Sequence, residues 1–296
     1  MNFKHIRDKY LGIIGQFLLP IFPNRVEKIQ SEQFTLSEFG QGRNKIDHFL
    51  RYGLVYRAIQ KGDLDSLAQY HKNYWKGDAG AQYHEDYAFM FEESFVAHFA
   101  YIVEYINQIA HEADGFNSLF EIGSGSGQLL DYLAAHVNDV EKFVGIDLSP
   151  TTVKRCNERY GRSNVSFVAA DGDKWIRENG QPNAVFMSHR GVLEYFPQDR
   201  LLSFFRYIRE TYAPCLLITI EPVGTGHDLE NTTNSQPYSN EYSFSHNYPY
   251  LIKQAGFDIL DTHLQPSTQN NHLLAVVATA GMPIIELPDR KALLKK

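Results

Sequence analysis

Leu119-Phe120-Glu121-Ile122-Gly123-Ser124-Gly125-Ser126-Gly127 decides how the rest of this chain is read. An apolar run stops at three glycines in alternate positions, and a helical pattern with Leu129, Leu130, Leu133 and Ala134 on one face follows. The segment therefore reads as a strand, a tight turn and a helix. Glycines in such a turn let the backbone bend sharply and let a ligand approach the main chain. A dinucleotide-binding turn, G-x-G-x-x-G, would need its third glycine at position 128. Position 128 is Gln, and the third glycine comes one place early. With no Tyr-x-x-x-Lys pair near the fourth or fifth strand, an NAD-dependent reductase is the last of the enzyme readings.

C-terminal to this turn, strand-like runs alternate with helical patterns, the signature of a parallel sheet built from βαβ units. The runs are Ser118–Ile122, Phe143–Asp147, Val165–Ala169, Ala184–Met187, Cys215–Ile220, Phe257–Leu264 and His272–Thr279. Ser149-Pro150 is an N-cap and first-turn pair. Leu201, Phe204, Phe205 and Ile208 form a helical stripe ended by Pro214, and Gly256 stands where a helix C-cap is wanted. The loop between the last two runs is too short for a helical crossover, so they should form an antiparallel hairpin. Val223–Asn247 is polar and aperiodic, and a loop of that length after the fifth strand reads as a lid over a ligand site.

N-terminal to the turn, helical spacing dominates, in Lys45–Lys61 and across Tyr83–His111, with an aromatic segment Tyr70–Tyr83 between them. The expected organisation is a helical cap over residues 1–115, an α/β domain over 116–281 with a lid-like insertion at 222–248, and a tail at 282–296. The fold class is α/β: a doubly wound, mostly parallel seven-stranded sheet with an antiparallel C-terminal hairpin.

Composition narrows the function classes. The 296 residues carry 28 Lys and Arg against 35 Asp and Glu, a net charge of −7, which argues against a phosphate-neutralising nucleic-acid binder. At 43% hydrophobic and 14% aromatic residues, the chain has enough apolar mass for a large core. Two widely separated cysteines, Cys156 and Cys215, fit a reduced, cytoplasmic protein without a disulfide frame or zinc knuckle. Leu11–Phe22 is apolar but short and interrupted by Gly12, Gly15, Gln16 and Pro20. It reads as a helix docked on the body or touching a membrane surface, without stable insertion.

The residues around Gly125 resemble the class I S-adenosylmethionine-dependent methyltransferases. An acidic residue two places before G-x-G-x-G is that family's first motif, and Glu121-Ile122-Gly123-Ser124-Gly125-Ser126-Gly127 matches it throughout. The resemblance extends over roughly Asn117 to Ala280. It implies S-adenosyl-L-methionine as cofactor, with Glu121, Gly123, Ser124, Gly125 and Gly127 against its methionine and ribose part. Asp147, at the end of the second strand, would accept both ribose hydroxyls in a charge-assisted pair of bonds, beside Leu148. Asp171, flanked by Ala170 and Gly172, would accept from the adenine amino group. The fourth strand, through Ser188, would pass the reactive end of the cofactor.

The implied chemistry is in-line displacement at a sulfonium methyl group, so the protein must position an acceptor and, for a hydroxyl, take up its proton. His189 is the first candidate base, since an unperturbed imidazole titrates near neutrality; Glu194 is the second. Tyr74, Trp75, Tyr83, His227, Tyr242 and His246 are candidate substrate-site residues, with Tyr87, Tyr238 and Phe244 as further pocket walls. No metal is expected: Glu221, His227 and Asp228 are near in sequence, but the Asp-Asn pair of metal-dependent catechol-type relatives is missing. The expected activity is O-methylation of a small molecule, a sugar or secondary metabolite. Alternatives are a protein side chain or lipid as acceptor, or a non-catalytic cofactor-binding scaffold. The N-terminal helices offer a surface for a homo-oligomer.

Overall fold

A computed structural model describes residues 3–31, 44–113, 115–238, 242–267, 271–283 and 285–294. Its centre is a seven-stranded sheet formed by β1 Phe116–Ile122, β2 Val140–Asp147, β3 Val165–Ala169, β4 Ala184–His189, β5 Cys215–Gly224, β8 Asp258–Pro266 and β9 Asn271–Ala280. Their order is β3-β2-β1-β4-β5-β9-β8. The pairs from β3 through β5 are parallel, whereas β9 runs antiparallel to both β5 and β8. The expected C-terminal hairpin is therefore present, with its second strand inserted beside β5. Because the winding reverses between β1 and β4, the glycine turn after β1 opens at the switch point of the sheet, where open α/β sheets bind ligands.

Side chains alternate across the sheet and build one core on each face. Leu119, Phe143, Val185 and Leu216 pack with helices Tyr101–Glu112, Gln128–His136 and Pro150–Tyr160. Their neighbours Phe120, Val144, Phe186 and Leu217 pack with helices Gly172–Asn179, Gln198–Tyr212 and Tyr248–Gln254. Strands buried on both faces account for the uninterrupted apolar runs in the sequence. Ser149 caps its helix as expected, its Oγ accepting from the Thr152 N–H at 3.2 Å, and Gly256 is left-handed at φ 90°.

The N-terminal region is helical but more broken than its periodicity implies. Tyr83–His111 is not one helix. It runs through the end of Asp78–Asp86, a turn, a π-helical segment Glu92–Val96 and a short helix before Tyr101–Glu112. The segment 222–248 also departs from expectation. Gln236–Tyr238 (β6) and Ser243–Ser245 (β7) form a small antiparallel ladder, and Ser243 through Asn247 are buried. The polar composition hid this because Ser245 and Asn247 bond inward: Gly224 N–H donates to Ser245 Oγ, and Asn247 Nδ2 donates to the Leu229 and Thr232 carbonyls. Residues 239–241 of that insertion lie outside the described residues. The C-terminal segment is anchored, with Ile285 buried and Arg290 paired to Asp261 at 3.0 Å. Among the described residues no helix is long and apolar enough to cross a membrane.

Candidate active site

Above the C-terminal ends of β1, β2, β4 and β5 lies a cavity of about 680 Å³, within the range of small-molecule sites. Its floor is the glycine turn. Gly125 and Gly127 are left-handed, at φ 47° and 77°. A Cβ on Gly127 would come within 3.0 Å of Cys156 Sγ and Phe167, so this glycine lets the turn pack down on β3. Gly127 itself does not line the cavity, and neither does Ser188, which is buried beneath it. For these two the expected contact with a ligand gives way to a supporting position.

Gly123, Ser124, Gly125, Glu121, Asp147, Leu148, Ala170, Asp171 and Gly172, the residues to which the resemblance gives cofactor contacts, all line the cavity. The Asp147 carboxylate is already engaged on both oxygens: Gly125 N–H donates to Oδ2 at 3.0 Å and Ser149 N–H to Oδ1 at 2.9 Å. These bonds aim the carboxylate into the cleft and leave further lone pairs for a diol. Beside it, Glu121 is buried and its Oε2 has no partner. Burial, helped by the neighbouring Asp147 charge, holds the Glu121 carboxyl well above the usual carboxylate range. A buried orphaned carboxyl beside a second carboxylate suits a ligand that brings positive charge and a vicinal diol.

The cap supplies the roof. His84, from Asp78–Asp86, lies over the turn so closely that a Cβ on Gly125 would meet its Nδ1 at 3.0 Å. Trp75, from helix Leu64–Trp75, stacks on His84 at 5.3 Å and meets Tyr83 edge-on at 5.4 Å. Lys72 forms an ion pair with Asp171, and Arg200 reaches the same carboxylate at 3.3 Å. Burial works to raise the Asp171 carboxyl, but the Lys72 bond, the Lys174 N–H and the two cations outweigh it and hold it low. The candidate adenine acceptor is thus a helix N-cap and the junction between cap and sheet domain.

On the β4–β5 side the cavity meets His189, Arg190, Glu194 and Tyr238. Burial, and then the Arg190 charge, lower His189 to about 3, so the imidazole is neutral and weakly basic. The near-neutral pKa that recommended it from sequence is lost on desolvation. Glu194 is buried, and Tyr238 O–H donates to its Oε2 at 2.5 Å. The loop holding these groups is strained and pinned. Arg190 is left-handed at φ 60°, its Nη1 donating to Ser94 Oγ at 3.0 Å. One oxygen of Glu221, Oε2, accepts the N–H groups of Gly191, Val192 and Leu193 at 3.2, 3.0 and 3.2 Å. Glu221 is fully buried, and its carboxyl is pushed up to about 7 by burial, opposed by those N–H donors.

Tyr74, Trp75 and Tyr83 line the cleft, with Tyr87. Three other expected substrate residues do not. His227 bonds Ser245 Oγ at 2.8 Å, and His246 is buried with its Nδ1 2.5 Å from Ser235 Oγ. Tyr242 packs with buried Phe244 against Val55 and Ala58 of the cap. These residues serve the internal packing of the 222–248 segment. Glu221, His227 and Asp228 are likewise apart in role, Asp228 bonding Asn231 on the surface. Among the described residues no three His, Cys, Asp or Glu side chains group as a metal site. Sequence reasoning gave no site role to Lys72, His84 or Arg190 and weighed Glu221 only as a metal ligand; the glycine that follows Arg190, left-handed at φ 87°, was the one sign in the sequence of a shaped turn there.

Residues 119–214 match a family model described as a methyltransferase domain. Among solved structures, phosphoethanolamine N-methyltransferase 2 of Haemonchus contortus, in complex with phosphomonomethylethanolamine and S-adenosylhomocysteine, is 14% identical. The match covers 68% of this chain and 58% of that one with a TM-score of 0.50, a likeness of fold. The N-methyltransferase NodS of Bradyrhizobium japonicum, with S-adenosylhomocysteine, is 14% identical over 68% of this chain and 99% of that one, at a TM-score of 0.44. Magnesium protoporphyrin IX methyltransferase of Synechocystis, with bound cofactor, is 14% identical over 91% and 96%, at 0.39. No curated protein matches this chain.

Proposed function

We propose that this chain, whose residues 119–214 match a methyltransferase domain, is a class I S-adenosylmethionine-dependent methyltransferase that methylates a hydroxyl of a small molecule, a sugar or secondary metabolite, with Glu194 as the base. The observation that carries the reading is the Glu194–Tyr238 pair on the wall of a roofed cavity, on the side away from Asp147. When bound, the cofactor would supply a sulfonium methyl group open to in-line attack by the acceptor oxygen, with the neutral thioether as leaving group. Asp147 would hold the ribose hydroxyls with its remaining lone pairs, and Glu121 would face the positive charge. His84 and Trp75 would cover the ligand and exclude water over Gly125. Asp171 would take the adenine amino group alongside Lys72.

A hydroxyl acceptor needs a proton acceptor nearby. The Tyr238 O–H fixes one oxygen of the Glu194 carboxylate, so the group is oriented before substrate arrives. A small-molecule acceptor is preferred to a protein side chain because Trp75, Tyr83 and Tyr87 line the cleft with aromatic surface suited to a ring. The test is a screen of sugars and phenols for methyl transfer from labelled cofactor, followed by Glu194→Gln and Tyr238→Phe on the best acceptor. General-base loss lowers kcat by about 100-fold or more at pH 7, with S-adenosylhomocysteine affinity unchanged. Full turnover by Glu194→Gln would remove the base role.

A further inference from the structure

We propose that the outer face of the N-terminal helix is a docking surface for an anionic lipid bilayer. Helix Phe3–Leu18 is fixed to helix Lys45–Lys61 by a backbone crossing. A Cβ on Gly15 would fall 1.9 Å from the Phe49 carbonyl oxygen, and one on Gly53 would fall 2.3 Å from Gly15 C. Asp8, Gly12, Gly15 and Leu19 are therefore the buried side. The opposite side is apolar as well. Tyr10 is 64% exposed, Ile14 47% and Phe17 74%, and Ile21 in the following turn is 63% exposed. Spacings of four, three and four residues place these groups in one stripe along the helix. The other exposed large apolar groups of the described residues lie elsewhere, Tyr83 and Tyr87 at the cleft. A contiguous patch of this kind on a helix anchored by its other face marks an interaction site.

Charge selects the occupant. Residues 1–31 hold five Lys and Arg against two Asp and Glu, in a chain whose net charge is −7. Arg7 and Lys9 are exposed beside the stripe, Arg7 paired to Asp8 on the buried side at 3.1 Å and Lys9 adding a further positive charge. An apolar stripe edged by basic side chains lies in the interfacial plane of a membrane, held by apolar burial and by attraction to anionic headgroups. A second copy of this chain docked stripe to stripe would bring two like-charged segments together, which the same charges oppose. The helix is too short to cross a bilayer, so the contact is peripheral.

The test is co-sedimentation of the full chain with vesicles of phosphatidylglycerol and phosphatidylcholine, or of phosphatidylcholine alone. Wild type should sediment with the anionic vesicles, weakly with the zwitterionic ones, and less at high salt. Phe17→Ser, and Ile14→Ser with Phe17→Ser, should lower the partition constant at least about tenfold for the pair, from the apolar area lost. Both changes are on the exposed face, and an unchanged melting temperature verifies the fold. Lys9→Glu should weaken anionic-vesicle binding without altering the apolar stripe. Equal weak binding to both vesicles, or a double variant that binds like wild type, overturns the proposal. A concentration-dependent dimer in sedimentation velocity, abolished by Phe17→Ser, overturns it in favour of a second copy.

Discussion

Glu221 is the residue whose replacement tests the site's construction most sharply, because removing its carboxylate and removing only its charge should act in opposite directions. In Glu221→Ala the N–H groups of Gly191, Val192 and Leu193 lose their shared acceptor. A buried unsatisfied donor costs roughly 1–3 kcal/mol. Leu193 is buried while the other two are half-buried and open to water, so the loss should be about 2–5 kcal/mol in total. Turnover should fall with it, since Arg190 and Glu194 ride on this loop. Glu221→Gln keeps an acceptor oxygen and removes the charge. The wild-type carboxyl titrates near 7 in the folded chain against an ordinary 4.5. The folded state therefore binds the extra proton between those values. Its stabilising effect is complete below pH 4.5 and is lost as pH rises through 7. That loss amounts to about 3 kcal/mol by pH 8, and the glutamine variant does not suffer it. Urea unfolding of the two proteins at pH 5, 6, 7 and 8.5 should show Glu221→Gln gaining on wild type by this order across the series. A pH-independent difference would refute the buried, raised carboxyl.

Other outcomes follow from the same geometry. Cofactor binding should strengthen as pH rises through the elevated Glu121 titration, because a cationic ligand favours the ionised carboxylate; calorimetry on wild type and Glu121→Gln should show the slope in wild type only. Buried His71 and His246 are lowered to about 4 and about 3, so the stability of their neutral forms is present above pH 6.5 and lost as pH falls below it. Each adds a slope of up to about 1.4 kcal/mol per pH unit, and His246→Gln should remove one proton from the acid-unfolding slope. Trp75 covers the cleft beside His84, so S-adenosylhomocysteine should change the tryptophan emission of wild type and leave that of Trp75→Phe nearly unchanged. Lys72→Met should leave the fold intact, since the ion pair is only part-buried and Arg200 still faces Asp171, while hastening proteolysis of the cap through the loss of its tie to Asp171.

The sheet was legible because its information is local. β1 through β5 are apolar runs beside turn and cap residues, and periodicity with helix-cap chemistry is enough to order them. The floor of the cavity was legible for the same reason, since Glu121 and Asp147 stand at the ends of consecutive strands and Gly125 stands in the turn between them. What the sequence withheld is set by contacts between distant segments. His84 and Lys72 reach the site across the cap, over 41 and 99 positions to Gly125 and Asp171. Glu221 suggests at most a metal ligand in the sequence, until its oxygen is seen collecting three N–H groups from a loop 28 to 30 positions away. His189 has an ordinary imidazole in sequence, and only burial reveals its depressed pKa. The 222–248 segment reads as irregular because Ser245, His246 and Asn247 are polar by type yet buried and bonded inside.

The most direct test of the account is calorimetric titration of the full chain with S-adenosylmethionine and S-adenosylhomocysteine, beside NADH, on wild type and Asp147→Ala. Micromolar binding of both sulfur nucleotides, weakened at least tenfold by the substitution and not seen with NADH, is the result predicted by a diol-accepting carboxylate over the Gly125 turn. Folded wild-type protein that binds neither sulfur nucleotide, or an Asp147→Ala variant that binds both as tightly as wild type, would contradict it.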